Sequence, residues 1–265
     1  MKSVAGAGAV VTGAGSGIGA ALARGLAAEG ARVVVNDINA DSAAAVAASC
    51  GGMAVPGDAA SEDGVAALIA AATEALGAID LYCANAGVGT VGGADASEAD
   101  WELSWQVNVM AHVRAARLLL PPWLERGSGH LICTVSAAGL LTMLGTAPYS
   151  VTKHAVLAFA EWLKLTYAHR GLTVQALCPQ GVRTPMLESS GTAGKMLLGD
   201  SAIEPEEVAG VVLAAIADGR FLILPHPEVA QMYAGRAADP DRWLAGMNKL
   251  QRRLDDLDSA GPKPS

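Results

Sequence analysis

Short apolar runs alternate with stretches of helical periodicity along almost the whole chain. The runs read as strands at Ala9–Thr12, Arg32–Asn36, Met53–Pro56, Leu81–Ala84, His130–Val135, Thr173–Leu177 and Phe221–Leu224. They are continuously apolar rather than alternating, which is the pattern of strands covered on both faces. Between them, Ile18–Ala28, Ala40–Ser49, Ser61–Leu76, Ser97–Leu120, Tyr149–Arg170 and Pro205–Asp218 are each long enough for a helix. Ser61, followed by Glu62 and Asp63, gives one of these a capped, acidic first turn. Strands alternating with helices require right-handed crossovers, so the pattern predicts an α/β fold with a doubly wound parallel sheet.

The pattern changes after Leu224. From Asp241 to Leu257, residues Trp243, Leu244, Met247, Leu250, Leu254 and Leu257 recur at helical spacing among Asp, Lys and Arg. A lone helix of that length is marginal in water, so its apolar stripe needs a partner surface. We therefore expect one domain over residues 1–224 and a helical extension over 225–265. The extension packs on that domain or on a partner subunit beside the cleft, or it covers the sheet edge as an ordinary surface helix. Met1–Ala5 and Ser259–Ser265 read as frayed ends.

Composition narrows the function. Hydrophobic residues make up 52% of the 265, enough for one large core, while aromatics are only 4% and glycines number 31. Elements of such a chain approach closely on small side chains. A net charge of −8 argues against a nucleic-acid partner, which needs a clustered basic face. The most apolar long stretch, Val107 to Leu124, is broken by Arg114, Arg117 and Pro121-Pro122, so no membrane span is expected. Lys2 and the small apolar residues after it resemble a leader only faintly, because five glycines by Gly17 make a poor helix. Cys50, Cys83, Cys133 and Cys178 lack paired spacing, and three of them fall in or beside predicted strands, as small buried hydrophobes do. These features place the protein in a reducing cytoplasm. His112, His130, His169 and His226 show no ligand spacing, and no metal is expected; His154 reads as structural.

Two motifs carry chemistry. Thr12-Gly13-Ala14-Gly15-Ser16-Gly17-Ile18-Gly19 follows the first strand and opens the first helix. Glycines there allow a tight turn and the approach of a pyrophosphate, whose charge meets the helix N-terminus. Asp37 ends the second strand, 18 residues beyond Gly19, near the spacing at which a carboxylate meets a ribose 2′-hydroxyl. With no basic residue beside it, Asp37 favours NAD over NADP. The fold is thus Rossmann-like. The second motif is Tyr149-Ser150-Val151-Thr152-Lys153, which sets a phenol and an ammonium on one helix face. A neighbouring cation lowers a phenol's pKa, and such a phenol exchanges protons with an alcohol or carbonyl. Ser136 closes the fifth strand, so it and Tyr149 can face one pocket at the carboxyl end of the sheet.

These residues together resemble the classical short-chain dehydrogenases/reductases over residues 7 to 224. The resemblance rests on Thr12–Gly19, Asp58 after the third strand, Asn85-Ala86-Gly87 after the fourth, Asn108, Ser136, and Tyr149 with Lys153. It implies that Tyr149 is the general acid/base and that Lys153 tunes it and holds the nicotinamide ribose. Ser136 would bond the reacting oxygen, and Asn108 would support Lys153 through a water. Gly13, Ser16, Gly17, Ile18, Gly19, Asp37, Asp58, Ala59 and Asn85–Gly87 would bind the cofactor, with Pro179, Gly181, Val182 and Thr184 on its nicotinamide side. The implied reaction is NAD-dependent interconversion of a secondary alcohol and a ketone by a homo-oligomer, dimer or tetramer. The alternatives are an NADP-dependent carbonyl reductase and a non-catalytic NAD-binding redox sensor.

The chain departs from the family pattern twice. Gln180 stands where a glycine is expected, in a loop whose backbone conformation glutamine tolerates poorly if φ is positive. Phe221-Leu-Ile-Leu-Pro-His-Pro replaces the glycine-rich segment that often closes the family's seventh strand. Leu140, Leu141, Met143, Leu144 and the Met186–Leu198 segment are expected to wall the substrate pocket. They make it apolar, with Glu188 and Lys195 its main charges.

Overall fold

A computed structural model of the chain describes residues 3–190, 194 and 197–259. Seven strands form one parallel sheet in the order β3-β2-β1-β4-β5-β6-β7. They are β1 (Gly8–Val11), β2 (Arg32–Val35), β3 (Met53–Ala54), β4 (Leu81–Ala84), β5 (Gly129–Thr134), β6 (Leu172–Leu177) and β7 (Leu222–Ile223). All seven expected strands form, with ends shifted by one or two residues. The order reverses between β1 and β4, which opens a crevice at the carboxyl ends of those strands.

Alternate strand residues face opposite layers. Val10, Val34, Tyr82, Leu131, Cys133 and Val174 join one core, under α3 (Glu62–Leu76), α5 (Ala111–Arg126) and α7 (Ala147–Tyr167). Ala9, Val11, Val35, Leu81, Cys83 and Ile132 join the other, under α1 (Gly17–Ala28), α2 (Ala40–Cys50) and α9 (Pro205–Asp218). Small residues set the spacing here: a side chain at Gly25 of α1 would stand 3.3 Å from Leu213 of α9. The Ser61 hydroxyl accepts the Gly64 N–H (3.2 Å), capping α3 as its sequence foretells.

Two helical expectations need correction. Ser97–Leu120 is not one α-helix but α4 (Glu98–Trp105), a π-helical segment at Gln106–Met110, and α5. Pro121 and Pro122 do not end α5, which runs on to Arg126. A proline pair removes backbone bonds, but Trp123 holds the last turns: its ring is buried and its Nε1–H donates to the Ile79 carbonyl (2.7 Å). The N-terminus is also less frayed than expected, since Val4 is buried in the second core.

Two short helices, α6 (Ala138–Leu141) and α8 (Pro185–Glu188), precede α7 and α9, and beyond β7 two more follow, α10 (Glu228–Ala238), which its sequence did not announce, and α11 (Pro240–Ser259). Trp243, Met247, Leu250 and Leu254 are sheltered at spacings of four, three and four, whereas Leu244 is 60% exposed and lies off the stripe. The Leu257 side chain lies outside the described residues. Among the described residues no helix is long and apolar enough to cross a membrane.

Candidate active site

One long cavity of about 720 Å³ runs along the carboxyl ends of the strands. One end is lined by the Gly13–Gly19 loop, Asp37 and Asp58; the other holds Ser136, Tyr149 and Lys153. Every expected cofactor and catalytic residue lines it except Asn108, which lies fully buried behind it.

At the first end the loop is held by its neighbours. The Asp37 carboxylate accepts the backbone N–H groups of Gly15 (2.9 Å) and Asn39 (2.9 Å). A Cβ at Gly19 would lie 2.2 Å from the Gly13 carbonyl, so no other residue fits this turn. The Thr12 hydroxyl accepts the N–H groups of Asn85 and Ala86 (3.0 Å each), which ties the loop to the end of β4. The Asn85 side chain is committed to the frame: its amide donates to Thr12 and Gly13 carbonyls, and its oxygen accepts from Thr134. Asp58 accepts from the Ala60 (2.8 Å) and Ser61 (3.2 Å) N–H groups. Partial burial raises its carboxyl, but these bonds and nearby Arg114 outweigh that and hold it below the ordinary carboxylate value.

At the other end, α7 carries Tyr149 and Lys153 one turn apart, with the Lys153 Nζ 5.5 Å from the phenol ring centroid. Nζ donates to the Thr134 carbonyl (2.9 Å) rather than to the phenol. Burial lowers Lys153 to about 8. Burial also raises the Tyr149 phenol above its ordinary 10, and hydrogen bonding with Ser136 offsets part of that. This corrects the expected lowering by the cation: burial, not the Lys153 charge, sets the direction of the phenol. Asn108 sits in the π-helical segment, and both its oxygen and its nitrogen are bonded by the protein. Its Oδ1 accepts the Val88 N–H (2.9 Å), and its Nδ2 donates to the Val88 carbonyl (3.0 Å) and the Thr152 hydroxyl (3.2 Å). The side chain therefore pins α7 beside Lys153. Ser136 has φ of 149°, a region sparsely used by non-glycine residues, at the turn that brings its hydroxyl toward Tyr149.

Residues 7–194 match the family model described as short chain dehydrogenase. The chain is 38% identical to the 1-deoxy-11-beta-hydroxypentalenate dehydrogenase of Streptomyces exfoliatus, covering 83% of each chain. It is 35% identical to the 2,5-dichloro-2,5-cyclohexadiene-1,4-diol dehydrogenase of Sphingobium indicum, covering 77% of this chain and 82% of that one. A Burkholderia phymatum short-chain dehydrogenase/reductase solved in complex with NAD superposes with a TM-score of 0.82 at 30% identity, covering 91% and 96% of the two chains. This chain belongs to the short-chain dehydrogenase/reductase family. It is an oxidoreductase of the nicotinamide-dependent kind.

The apolar lining expected for the pocket is met in part. Leu141, Met143, Leu144, Met186, Leu187 and Leu198 line the cavity. Leu140 does not; it is 1% exposed and belongs to the core. Glu188 points to solvent, and Lys195 lies outside the described residues. The sequence pattern did not mark the wall supplied by Val91, Leu103 and Val107, or the Met232 contact from α10. It placed the α11 stripe only loosely: Trp243, Met247 and Leu250 face the cavity itself. It also missed a clasp. The Arg236 guanidinium of α10 donates to the Leu140 carbonyl and to His154 Nε2, and His154 Nδ1 bonds the Ser150 carbonyl (2.9 Å) on α7.

Proposed function

We propose that this protein is an NAD-dependent dehydrogenase interconverting an apolar secondary alcohol and its ketone. The observation that carries the reading is a single cavity with Asp37 and the glycine loop at one end and Ser136, Tyr149 and Lys153 at the other. The residues fit a dinucleotide: the turn at Gly19 leaves no room for a side chain, and an acidic group stands where a ribose would lie and a 2′-phosphate would be repelled. When bound, the nicotinamide supplies the hydride acceptor or donor. Ser136 orients the substrate oxygen and stabilises charge developing on it. Tyr149 takes the hydroxyl proton during oxidation and returns it during reduction. Lys153, released by burial to about 8, favours the phenolate as it gains its own proton. Asn108, through Thr152, keeps the second turn of α7, and so Lys153, in register.

The apolar walls and the helical extension favour a substrate without charge. Two relatives are named as dehydrogenases of hydroxylated compounds, one of them a cyclohexadiene diol. We read the extension after Leu224, over its described residues, as completing the substrate wall; residues 260–265 lie outside the described residues. Val151, Ala158, Trp162 and Leu165 form an exposed stripe on α7, which supports self-association. The free, mostly buried cysteines suit a reducing cytoplasm. The test is a panel of secondary alcohols and ketones with NAD and NADP, followed by cofactor absorbance, with light scattering for mass. Turnover only with charged substrates, or preference for NADP, would overturn the corresponding part of the reading.

A further inference from the structure

The two departures from the family pattern touch each other. His226, in Pro225-His226-Pro227, is 3% exposed and reaches the loop after β6. Its Nδ1 accepts the Gln180 backbone N–H (3.1 Å), and its Nε2 bonds the Gly181 carbonyl (3.1 Å). A ring that accepts at Nδ1 and donates at Nε2 is the neutral, Nε2-protonated tautomer. Prolines on both sides fix the local backbone, and the His226 carbonyl accepts the Val229 N–H (3.1 Å) where α10 begins.

The loop so held needs no positive φ at Gln180, so the departure there strains nothing. Gly181 is fixed by close approach instead: a Cβ would stand 2.3 Å from the Leu198 carbonyl. The Gly181 carbonyl also accepts the Ile203 N–H (3.1 Å). The Gln180 amide reaches the Met232 sulfur (3.8 Å), a second tie to α10. Downstream, Val182 and Thr184 line the cavity, and Thr184 closes so near the glycine loop that a Cβ at Gly17 would meet its methyl at 2.8 Å.

We propose that His226 is a positioning residue: from the C-terminal extension it fixes the 180–181 peptide groups and so presents Val182 and Thr184 to the nicotinamide end of the cavity. The inference rests on the dinucleotide reading above. A histidine serving stability alone would affect both ends of the site alike. His226 bonds two successive peptide groups of a single loop, at the opposite end of the sheet order from Asp37 on the β2 side and Asp58 after β3. Its removal should therefore weaken binding of the nicotinamide half and spare the adenosine half.

The experiment is calorimetric titration of wild type, His226→Ala and His226→Asn with two probes. One is the dinucleotide that the wild type prefers; the other is the same molecule without nicotinamide, ADP-ribose or its 2′-phosphate. Leaving the Gln180 N–H without its acceptor and the Gly181 carbonyl with Ile203 alone should weaken the dinucleotide by roughly tenfold to a hundredfold. ADP-ribose affinity should stay within about twofold. His226→Asn, whose amide oxygen can still accept from Gln180, should recover part of the loss. If the alanine variant does not fold, the asparagine variant decides by itself, with a smaller loss again confined to the dinucleotide. Undiminished dinucleotide affinity, or equal losses for both probes, overturns the proposal. A wild type that binds neither probe overturns the dinucleotide reading and the proposal with it.

Discussion

The two ends of the cavity are built from different materials. The cofactor end is made of backbone, glycines and short polar side chains held by near neighbours: Thr12 to Asn85 and Ala86, Asp37 to Gly15, Asp58 to Ala60 and Ser61. The substrate end is made of large apolar side chains drawn from segments far apart in the chain: Val107, Leu141, Met186, Met232, Trp243 and Met247. A pyrophosphate and two riboses present a fixed pattern of charge and hydroxyls, so the frame that meets them has little freedom. An apolar substrate is met by shape, and many combinations of side chains give a similar shape. The proposed chemistry sits on the seam, where the turn after β5 and the start of α7 bring Ser136 and Tyr149 together.

That contrast can be broken or sharpened by substitution, beginning with the seam. Tyr149→Phe removes one hydroxyl and should lower kcat by about a hundredfold to ten-thousandfold with dinucleotide affinity nearly unchanged. A variant keeping more than about a tenth of the wild-type kcat would mean that another group carries the proton.

Lys153 gives the next effect, on stability. Its folded pKa of about 8 lies below its ordinary 10.5, because burial opposes its charge. Between those values the unfolded chain holds more protons than the folded one, so the folded state gains stability as pH rises. The gap corresponds to about 3 kcal/mol in the cofactor-free protein. Chemical denaturation of wild type and Lys153→Met at pH 8 and pH 10.5 should show the wild type gaining relative to the variant; a constant difference would place the Lys153 pKa near its ordinary value.

At the cofactor end, Asp37→Asn keeps an acceptor for Gly15 but removes the charge that repels a 2′-phosphate. The ratio of kcat/KM for NAD over NADP should fall by roughly tenfold to a hundredfold, the scale of one charged hydrogen bond. An unchanged ratio would move cofactor choice to another residue. The smallest effect belongs to the substrate end. Met247→Ala should raise KM for an apolar alcohol by several-fold, equivalent to about 1 kcal/mol of lost apolar contact, and leave KM for NAD as it was. A change in KM for NAD alone would show that α11 serves the cofactor.

The same contrast divides what was legible in the sequence from what was not. Hydrophobic patterning placed all seven strands, because a strand buried on both faces must be apolar throughout. The glycine loop, Asp37, Ser136 and the Tyr149–Lys153 pair were readable because local geometry alone sets them beside strand ends or on one helix face. What tertiary structure decided was of another kind. Leu140 lies wholly in the core while its neighbour Leu141, in the same short helix, packs in that core and also reaches the cavity. Leu244 faces solvent while Trp243 and Met247 face the cavity, because α10 and the cavity walls decide which side of α11 is covered. Burial reversed the expected direction at Tyr149, since the desolvation of a phenol depends on everything packed around it. And Gln180 and His226, 46 residues apart and each unexplained by its own neighbours, became one arrangement when β6 and β7 were set side by side.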